Sequence, residues 1–132
     1  MKILICANED ILLTALEFRL RKAGFQSVRA IDPEDALHKI RIHIPDMLIT
    51  DAFLPERTGI ALIQEVRERL NSSIPIILLS SVDEGDSILE GIEAGANDFI
   101  TKPFKPTELV LRIQRIFQKQ GFHQHALVKR RR

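Results

Sequence analysis

The sequence of 132 residues contains no tryptophan and no tyrosine, and it has a single cysteine, Cys6. One cysteine excludes an internal disulfide and is typical of proteins from a reducing compartment. No apolar run approaches the ~20 residues that a membrane-spanning helix requires. The first apolar run is cut short at Asn8, so a signal peptide is not expected. These absences together predict a cytoplasmic protein.

Charge of neither sign dominates, but the charges are unevenly distributed. The chain has 19 basic residues against 18 acidic ones, and residues 129–132 are all basic. Without those four, 15 basic residues face 18 acidic ones, which leaves a net charge of −3. A mildly acidic body is a poor match to a nucleic-acid-binding domain, which usually has a basic face. We expect one domain over residues 1–120, followed by a basic tail or the start of a linker over residues 121–132.

Short apolar runs alternate along the chain with segments of helical periodicity. Short apolar runs are typical of strands buried on both faces, and they predict strands at 2–7, 46–50 and 75–80, with a shorter strand at 98–101. Residues 27–31 alternate Val28 and Ile31 with Arg29, which predicts a thinner strand at the edge of the sheet. Apolar residues at helical spacing predict helices at 11–23, 33–43, 58–70, 84–94 and from 106 onwards. Asp10 and Asp32 are the predicted N-caps of the first two helices. The alternation predicts an α/β fold, a doubly wound (βα)5 flavodoxin-like three-layer sandwich, with a parallel five-stranded sheet of order 2-1-3-4-5.

Polar side chains gather where the predicted strands end, which is where ligands bind in such sheets. Asn8 and Glu9 follow the first strand, Asp51 ends the third, Ser80 ends the fourth and Lys102 ends the fifth. This set supports phosphoryl transfer to a carboxylate, with Asp51 as the nucleophile. Lys102 would balance the charge of the phosphoryl group, and Ser80 would donate a hydrogen bond to it. Mg²⁺ is the expected metal because it prefers oxygen ligands.

Three segments, in this order and at this spacing, resemble the receiver domain of two-component response regulators of the chemotaxis-regulator type. They are PDMLITDAFLPERTG (45–59), PIILLSS (75–81) and GIEAGANDFITKPF (91–104), and the resemblance extends from residue 2 to about residue 119. It implies a signalling protein rather than a metabolic enzyme, with at most self-catalysed phosphoryl transfer and dephosphorylation. A histidine kinase or phosphotransfer protein would donate phosphate to Asp51, and a partner-binding face would switch in response.

The resemblance also implies roles for individual residues. Ser80 corresponds to the switch Ser/Thr that turns toward the phosphoryl group, and Phe99 corresponds to the aromatic residue that moves with it. Lys102 corresponds to the invariant lysine, whose peptide bond to the following proline would be cis. The backbone carbonyl of Phe53 would bind the metal together with Asp51.

One departure from the family lies directly after the first strand. Family members usually carry two adjacent acids there, whereas this sequence has Ala7 and Asn8, and Glu9 comes one place later. Losing two negative charges weakens the Coulomb attraction for a divalent ion. Asn8 and Glu9 are the candidate substitute ligands beside Asp51 and Phe53, and Mg²⁺ is expected to bind weakly.

The last two predicted helices have opposite charges. The resemblance implies that the face made by the fourth helix, the fifth strand and the fifth helix docks partners or forms a homodimer, and opposite charges would suit that. Two solvated faces are the alternative interpretation. The acidic residues are Asp83, Glu84, Asp86, Glu90 and Glu93, and the basic ones are Arg112, Arg115 and Lys119.

Three functions are compatible with this sequence. The first is a phosphorylatable receiver. The second is a pseudo-receiver that keeps the fold as an interaction module without phosphorylation; Ala7 and Asn8 favour it, and the joint presence of Asp51, Ser80 and Lys102 opposes it. The third is a flavin- or nucleotide-binding enzyme on the same fold, which would need a glycine-containing phosphate loop after the first strand. The residues there contain no glycine.

Overall fold

The computed structural model describes residues 1–54, 58–81 and 85–119, apart from the side chain at position 86. Within these residues, strands and helices alternate as predicted, and the boundaries agree with the predicted ones to within about two residues. The elements in chain order are β1 (Lys2–Cys6), α1 (Asp10–Lys22), β2 (Gln26–Ala30), α2 (Pro33–His43), β3 (Met47–Asp51), α3 (Gly59–Glu68), β4 (Ile76–Ser81), α4 (Gly85–Ala94), β5 (Asp98–Lys102) and α5 (Pro106–Lys119).

The five strands form one parallel sheet of order β2-β1-β3-β4-β5. This confirms the predicted doubly wound topology. The chain reverses its direction of winding between β1 and β3, and in open α/β sheets ligands bind outside the carboxyl ends of the strands at such a point. The register pairs Cys6 of β1 with Thr50 of β3, and Ser80 of β4 with Thr101 of β5. The ends of these four strands therefore lie along one edge of the sheet.

Two apolar clusters cover the two faces of the sheet. Alternate residues of each strand point to opposite faces, so Ile3 and Ile5 join the cluster under α1 and α5, whereas Leu4 and Cys6 join the cluster under α2 and α3. Both sets are apolar because both faces are covered by helices. Burial is the main cause that raises the pKa of the Cys6 thiol to about 12, which makes it an unreactive core residue.

The N-termini of the first two helices differ in how they are capped. Asp32 accepts a hydrogen bond of 2.7 Å from the backbone N–H of Asp35, which confirms it as the N-cap of α2. The prediction for Asp10 is wrong: Asp10 is the first residue of α1, and Glu9 is the N-cap, without a capping bond from its side chain. The side chain of Asp10 forms an ion pair of 3.2 Å with Arg29 on β2.

A single arginine fastens the C-terminal end of α4 to the neighbouring elements. The guanidinium of Arg67, on α3, donates hydrogen bonds of 3.1 and 2.8 Å to the carbonyl oxygen of Gly95, directly after α4. It also donates to the carbonyls of Ser72 and Ile74, which precede β4, and to the side-chain oxygen of Asn97. Burial lowers the pKa of Arg67. This clamp sets the position of α4 beside β4 and β5.

Ile44, the C-cap of α2, has a left-handed backbone conformation with φ 46 and is 77% exposed. This conformation costs an L-residue with a Cβ about 1–2 kcal/mol, and glycine adopts it freely. We expect Ile44→Gly to raise the free energy of unfolding by about 1 kcal/mol. Ile42 is similarly exposed but helical, so the control Ile42→Gly should lower it by about 1 kcal/mol. Urea unfolding followed by circular dichroism measures the free energy of unfolding of both variants. A lower value for Ile44→Gly as well as for Ile42→Gly would contradict backbone strain at Ile44.

Candidate functional site

The candidate site lies at the carboxyl edge of the sheet, where Lys102 contacts two carboxylates. Its Nζ lies 2.7 Å from Oδ2 of Asp51, the last residue of β3, and 2.8 Å from Oε1 of Glu9, between β1 and α1. The exposed fraction of the side chain is 9% for Asp51, 21% for Lys102 and 57% for Glu9. The ammonium therefore bridges one buried acid and one acid that is open to solvent.

The charge state of Lys102 follows from these neighbours. Burial acts to lower the pKa of Lys102, but the hydrogen bonds and charges of Asp51 and Glu9 outweigh it, and the pKa lies above its ordinary value. Lys102 is therefore protonated at neutral pH, and its ammonium compensates one of the two carboxylate charges. The peptide bond between Lys102 and Pro103 is cis, which confirms the expectation drawn from the resemblance.

The backbone of Asp51 is packed directly against Gly59, the first residue of α3. A β-carbon at Gly59 would collide with the carbonyl oxygen of Asp51 and would lie 3.1 Å from Oγ1 of Thr50. The buried hydroxyl of Thr50 donates to that same carbonyl at 3.1 Å, and the N–H of Gly59 donates to the carbonyl of Ala52 at 2.8 Å. Glycine is required here by the close approach of two backbones, which the sequence does not reveal.

Ser80 and Phe99 lie on the neighbouring strands β4 and β5. Ser80 is fully buried, and its hydroxyl donates a long hydrogen bond of 3.4 Å to the carbonyl of Ser81. A bond of this length is weak, so the hydroxyl can turn to a better acceptor at small cost. Phe99 pairs with Leu78 in the sheet register, is half-buried, and packs against the cluster under α2 and α3.

The oxygen atoms near Asp51 are of the kind that Mg²⁺ prefers, but they carry little charge. Ala7 is fully buried and has no side-chain oxygen, and Asn8 is exposed and neutral. Phe53, whose carbonyl is a candidate ligand, is 61% exposed. Over residues 1–54, 58–81 and 85–119, no three His, Cys, Asp or Glu side chains are grouped to hold a metal ion. The carboxylates of Asp51 and Glu9 are both bonded to Lys102 instead.

The sequence predicts that Glu9 and Lys102 lie at the same edge of the sheet, but it does not predict that their side chains form an ion pair. Glu9 stands out in the sequence only as a candidate metal ligand. The one available signal is the order of residues after β1, where an acid comes one place later than the family pattern. A side chain as long as that of glutamate reaches the ammonium from that position.

One of the basic residues of α5 forms its ion pair within the chain and not with α4. Nη1 of Arg112, on α5, lies 3.0 Å from Oδ1 of Asp98 and donates to the carbonyl of Phe99 at 3.0 Å. Arg112 is thus bonded to β5. Glu90 and Glu93 are exposed on α4, and Arg115 and Lys119 are exposed on α5. The predicted acidic residues Asp83 and Glu84 lie outside the described residues.

Comparison with known proteins identifies the family. Residues 3–114 match the response regulator receiver domain. The chain belongs to this family. This receiver is 34% identical over 118 residues to the alkaline phosphatase synthesis transcriptional regulatory protein PhoP of Bacillus subtilis, with 89% of this chain and 49% of that protein covered. It is 35% identical over 119 residues to the phosphate regulon transcriptional regulatory protein PhoB of Escherichia coli, with 89% and 52% covered. The chain spans about half the length of these curated relatives.

Solved structures agree with this assignment. A chain from Chloroflexus aurantiacus described as a response regulator superposes on this receiver with a TM-score of 0.82 at 40% identity, covering 87% of this chain and 95% of the other. The chemotaxis response regulator CheY4 of Vibrio cholerae gives a TM-score of 0.80 at 28% identity, with 87% and 97% covered. The predicted family and fold are therefore confirmed. No helix among the described residues of this receiver is long and apolar enough to cross a membrane.

Proposed function

We propose that this receiver accepts a phosphoryl group from a histidine kinase or phosphotransfer protein on Asp51 and then switches a partner-binding face. The observation that carries the proposal is the buried carboxylate of Asp51, held 2.7 Å from the ammonium of Lys102 at the switch point of the sheet. Phosphoryl transfer depends mostly on positioning and charge neutralisation, and this pair supplies both.

The transfer uses a carboxylate oxygen of Asp51 as the nucleophile. It attacks the phosphorus of the donor's phosphohistidine, and a P–O bond forms as the P–N bond breaks. The histidine nitrogen leaves with the electron pair of the broken bond and takes up a proton, so the product is an acyl phosphate on Asp51. Lys102 faces the charge that develops on the phosphoryl oxygens.

The response to phosphorylation would begin at Ser80. Its weakly bonded hydroxyl turns toward the new phosphoryl oxygens, which are strong acceptors. The space that it leaves beside β5 is then available to Phe99, which is already half-buried there. This movement would alter the face formed by α4, β5 and α5, which we propose as the docking face for an output partner or a second copy. Exposed Leu89 and Ile92 on α4 suit such an interface.

We further propose Mg²⁺ as the metal of this site, with a cytoplasmic location for the protein. Asp51 and the carbonyl of Phe53 would hold the ion, with Asn8 and Glu9 as the replacement ligands. When bound, the ion supplies positive charge to the phosphoryl oxygens. Residues 1–120 would form the receiver, with residues 121–132 as a tail or the start of a linker.

Incubation with acetyl phosphate and Mg²⁺ tests the phosphorylation directly. The intact mass should rise by about 80 Da, the mass of one phosphoryl group. A chain that stays at its original mass at every metal concentration would instead favour a pseudo-receiver. The absence of acids at Ala7 and Asn8 is the observation that supports this second candidate.

The replacement of Asn8 by aspartate tests the metal site. Asn8 is exposed, so the new carboxylate adds charge beside the pocket without being buried. We expect Asn8→Asp to lower the dissociation constant for Mg²⁺ by roughly tenfold. Isothermal titration calorimetry measures the constant. Asn71→Asp, at an exposed position before β4 and at the opposite edge of the sheet, is the matched control and should leave it unchanged. Equal dissociation constants for the wild type, Asn8→Asp and Asn71→Asp would argue against a metal ion at this edge of the sheet.

A further inference from the structure

The outer side of α1 carries apolar residues that are exposed to solvent. Ile11 is 89% exposed and Phe18 is 49% exposed. Thr14 and Ala15 are exposed between them, and all four residues line one open groove. Spacings of three and four positions place the four, which we call the α1 stripe, along one side of the helix. The opposite side of α1 already packs on the core, so the stripe is a second apolar side that is available to a partner.

We propose that the α1 stripe binds the α1 stripe of a second copy of this chain, with the two helices antiparallel about a two-fold axis. This dimer uses a different face from the one formed by α4, β5 and α5. It goes beyond the proposed function, because it requires neither phosphorylation nor a metal ion. A two-fold interface brings the same patch of both copies together, so the patch has to be complementary to itself.

The sizes of the side chains in the stripe fit such a pair. When two antiparallel helices are centred between Thr14 and Ala15, Ile11 of one copy lies opposite Phe18 of the other. Helices that cross at an angle are closest at the crossing point and separate toward their ends. The small residues therefore allow a close approach at the centre, and the large residues fill the wider space at both ends. Nζ of Lys22 lies 5.1 Å from the centroid of the Phe18 ring, which restrains the ring on the helix.

The charges of α1 are complementary in the same arrangement. Asp10 lies in the first turn, and Arg19, Arg21 and Lys22 lie in the last turn, so antiparallel helices bring acids beside bases. Asp10 and Arg21 are about three full turns apart and project from the same flank of the stripe. Within the part of the chain that the structure describes, the side chain of Arg21 forms no ion pair. The side chain of Asp10 is 93% exposed beside Arg29 and can accept a second cation. Each dimer would thus contain two pairs of Asp10 with Arg21 of the other copy.

The length of α1 sets the expected strength of the dimer. A helix of this size is about 20 Å long, so the pair buries less than the roughly 1,200–2,000 Å² of a standard interface. We expect a dissociation constant on the order of 100 µM. Sedimentation equilibrium between about 10 µM and about 1 mM, in EDTA and without a phosphodonor, should show the average mass rising from 15.1 kDa toward twice that value. Asp51→Asn should give the same curve as the wild type.

Replacing one apolar end of the stripe tests where the interface lies. Ile11→Lys places a charge opposite Phe18 of the other copy and should raise the dissociation constant at least tenfold, to roughly 1 mM or more. Ile42→Lys is the matched control, because Ile42 is also an exposed isoleucine on a helix, at 59%, but α2 covers the opposite face of the sheet. This control should stay within about twofold of the wild type.

An exchange of charges tests the antiparallel arrangement. Asp10→Lys and Arg21→Glu each remove both ion pairs and bring like charges together, so each alone should raise the dissociation constant roughly fivefold. In a one-to-one mixture, the introduced lysine of one chain faces the introduced glutamate of the other, and the native Asp10 faces the native Arg21. The mixture should therefore associate within about twofold of the wild type. Circular dichroism verifies that each variant is folded.

Every outcome bears on the inference. A chain that stays at the monomer mass up to about 1 mM overturns it and leaves the stripe to a different partner protein. A dimer that Ile11→Lys does not weaken overturns it as well, because the interface then lies elsewhere. A mixture of Asp10→Lys and Arg21→Glu that associates no better than either variant alone excludes the antiparallel pair, and with it the inference. The proposed function is tested separately by the mass gain with acetyl phosphate, so either can fail while the other stands.

Discussion

The Asp51→Asn variant is expected to gain no mass from acetyl phosphate under conditions in which the wild-type protein gains about 80 Da. An amide oxygen is a poor nucleophile at phosphorus, and the replacement changes the shape of the side chain very little. The amide oxygen can still accept a hydrogen bond from Lys102, so the fold should be retained. Circular dichroism verifies the fold, and intact-mass measurement gives the result.

The matched control for this prediction is Asp46→Asn. Asp46 is exposed and accepts a hydrogen bond of 2.7 Å from the backbone N–H of Lys2, at the opposite edge of the sheet from Asp51. This variant should gain the same mass as the wild type. A mass increase that persists in Asp51→Asn would assign the phosphoryl group to another side chain, and the proposed role of Asp51 would then be wrong.

Gly59→Ala should lower the free energy of unfolding by about 3 kcal/mol, because the added methyl group collides with backbone atoms of Asp51. A backbone atom cannot move aside as a flexible side chain can, so α3 has to shift away from β3. Intrinsic helix propensity acts in the opposite direction and favours alanine by about 1 kcal/mol. Urea unfolding followed by circular dichroism measures the change, since the chain has no tryptophan for fluorescence.

Gly24→Ala separates steric collision from backbone strain. Gly24 has φ 92, and a β-carbon there would meet no atom within 4 Å, so the strain alone should cost about 1 kcal/mol. Equal losses in the two variants would contradict a collision at Gly59. A folded Gly59→Ala protein should also bind beryllofluoride less tightly than the wild type, since the displaced backbone carries Asp51.

The parallel sheet could be predicted from the sequence because strand-like runs alternate with segments of helical periodicity. The central strands β1, β3 and β4 are mainly apolar, and polar residues such as Asp51 and Ser80 come at or just after their ends. The polar residues at the carboxyl ends of the strands therefore identify the candidate site even when no side-chain contact is known. The first residue of α1 could not be predicted, because an aspartate such as Asp10 suits both the N-cap and the first turn of a helix. The sequence places Glu9 and Lys102 at the same edge of the sheet but does not show that their side chains pair.

The clamp made by Arg67 has a mechanical consequence for α4. The helix is fastened at its C-terminal end through the carbonyl of Gly95, whereas Ser80 lies at the end of β4 that leads to its N-terminal end. A helix that is held at one end rotates about that end, so its other end moves furthest. Displacement that starts near Ser80 should therefore be largest at the N-terminal end of α4 and should decay along the helix toward Gly95.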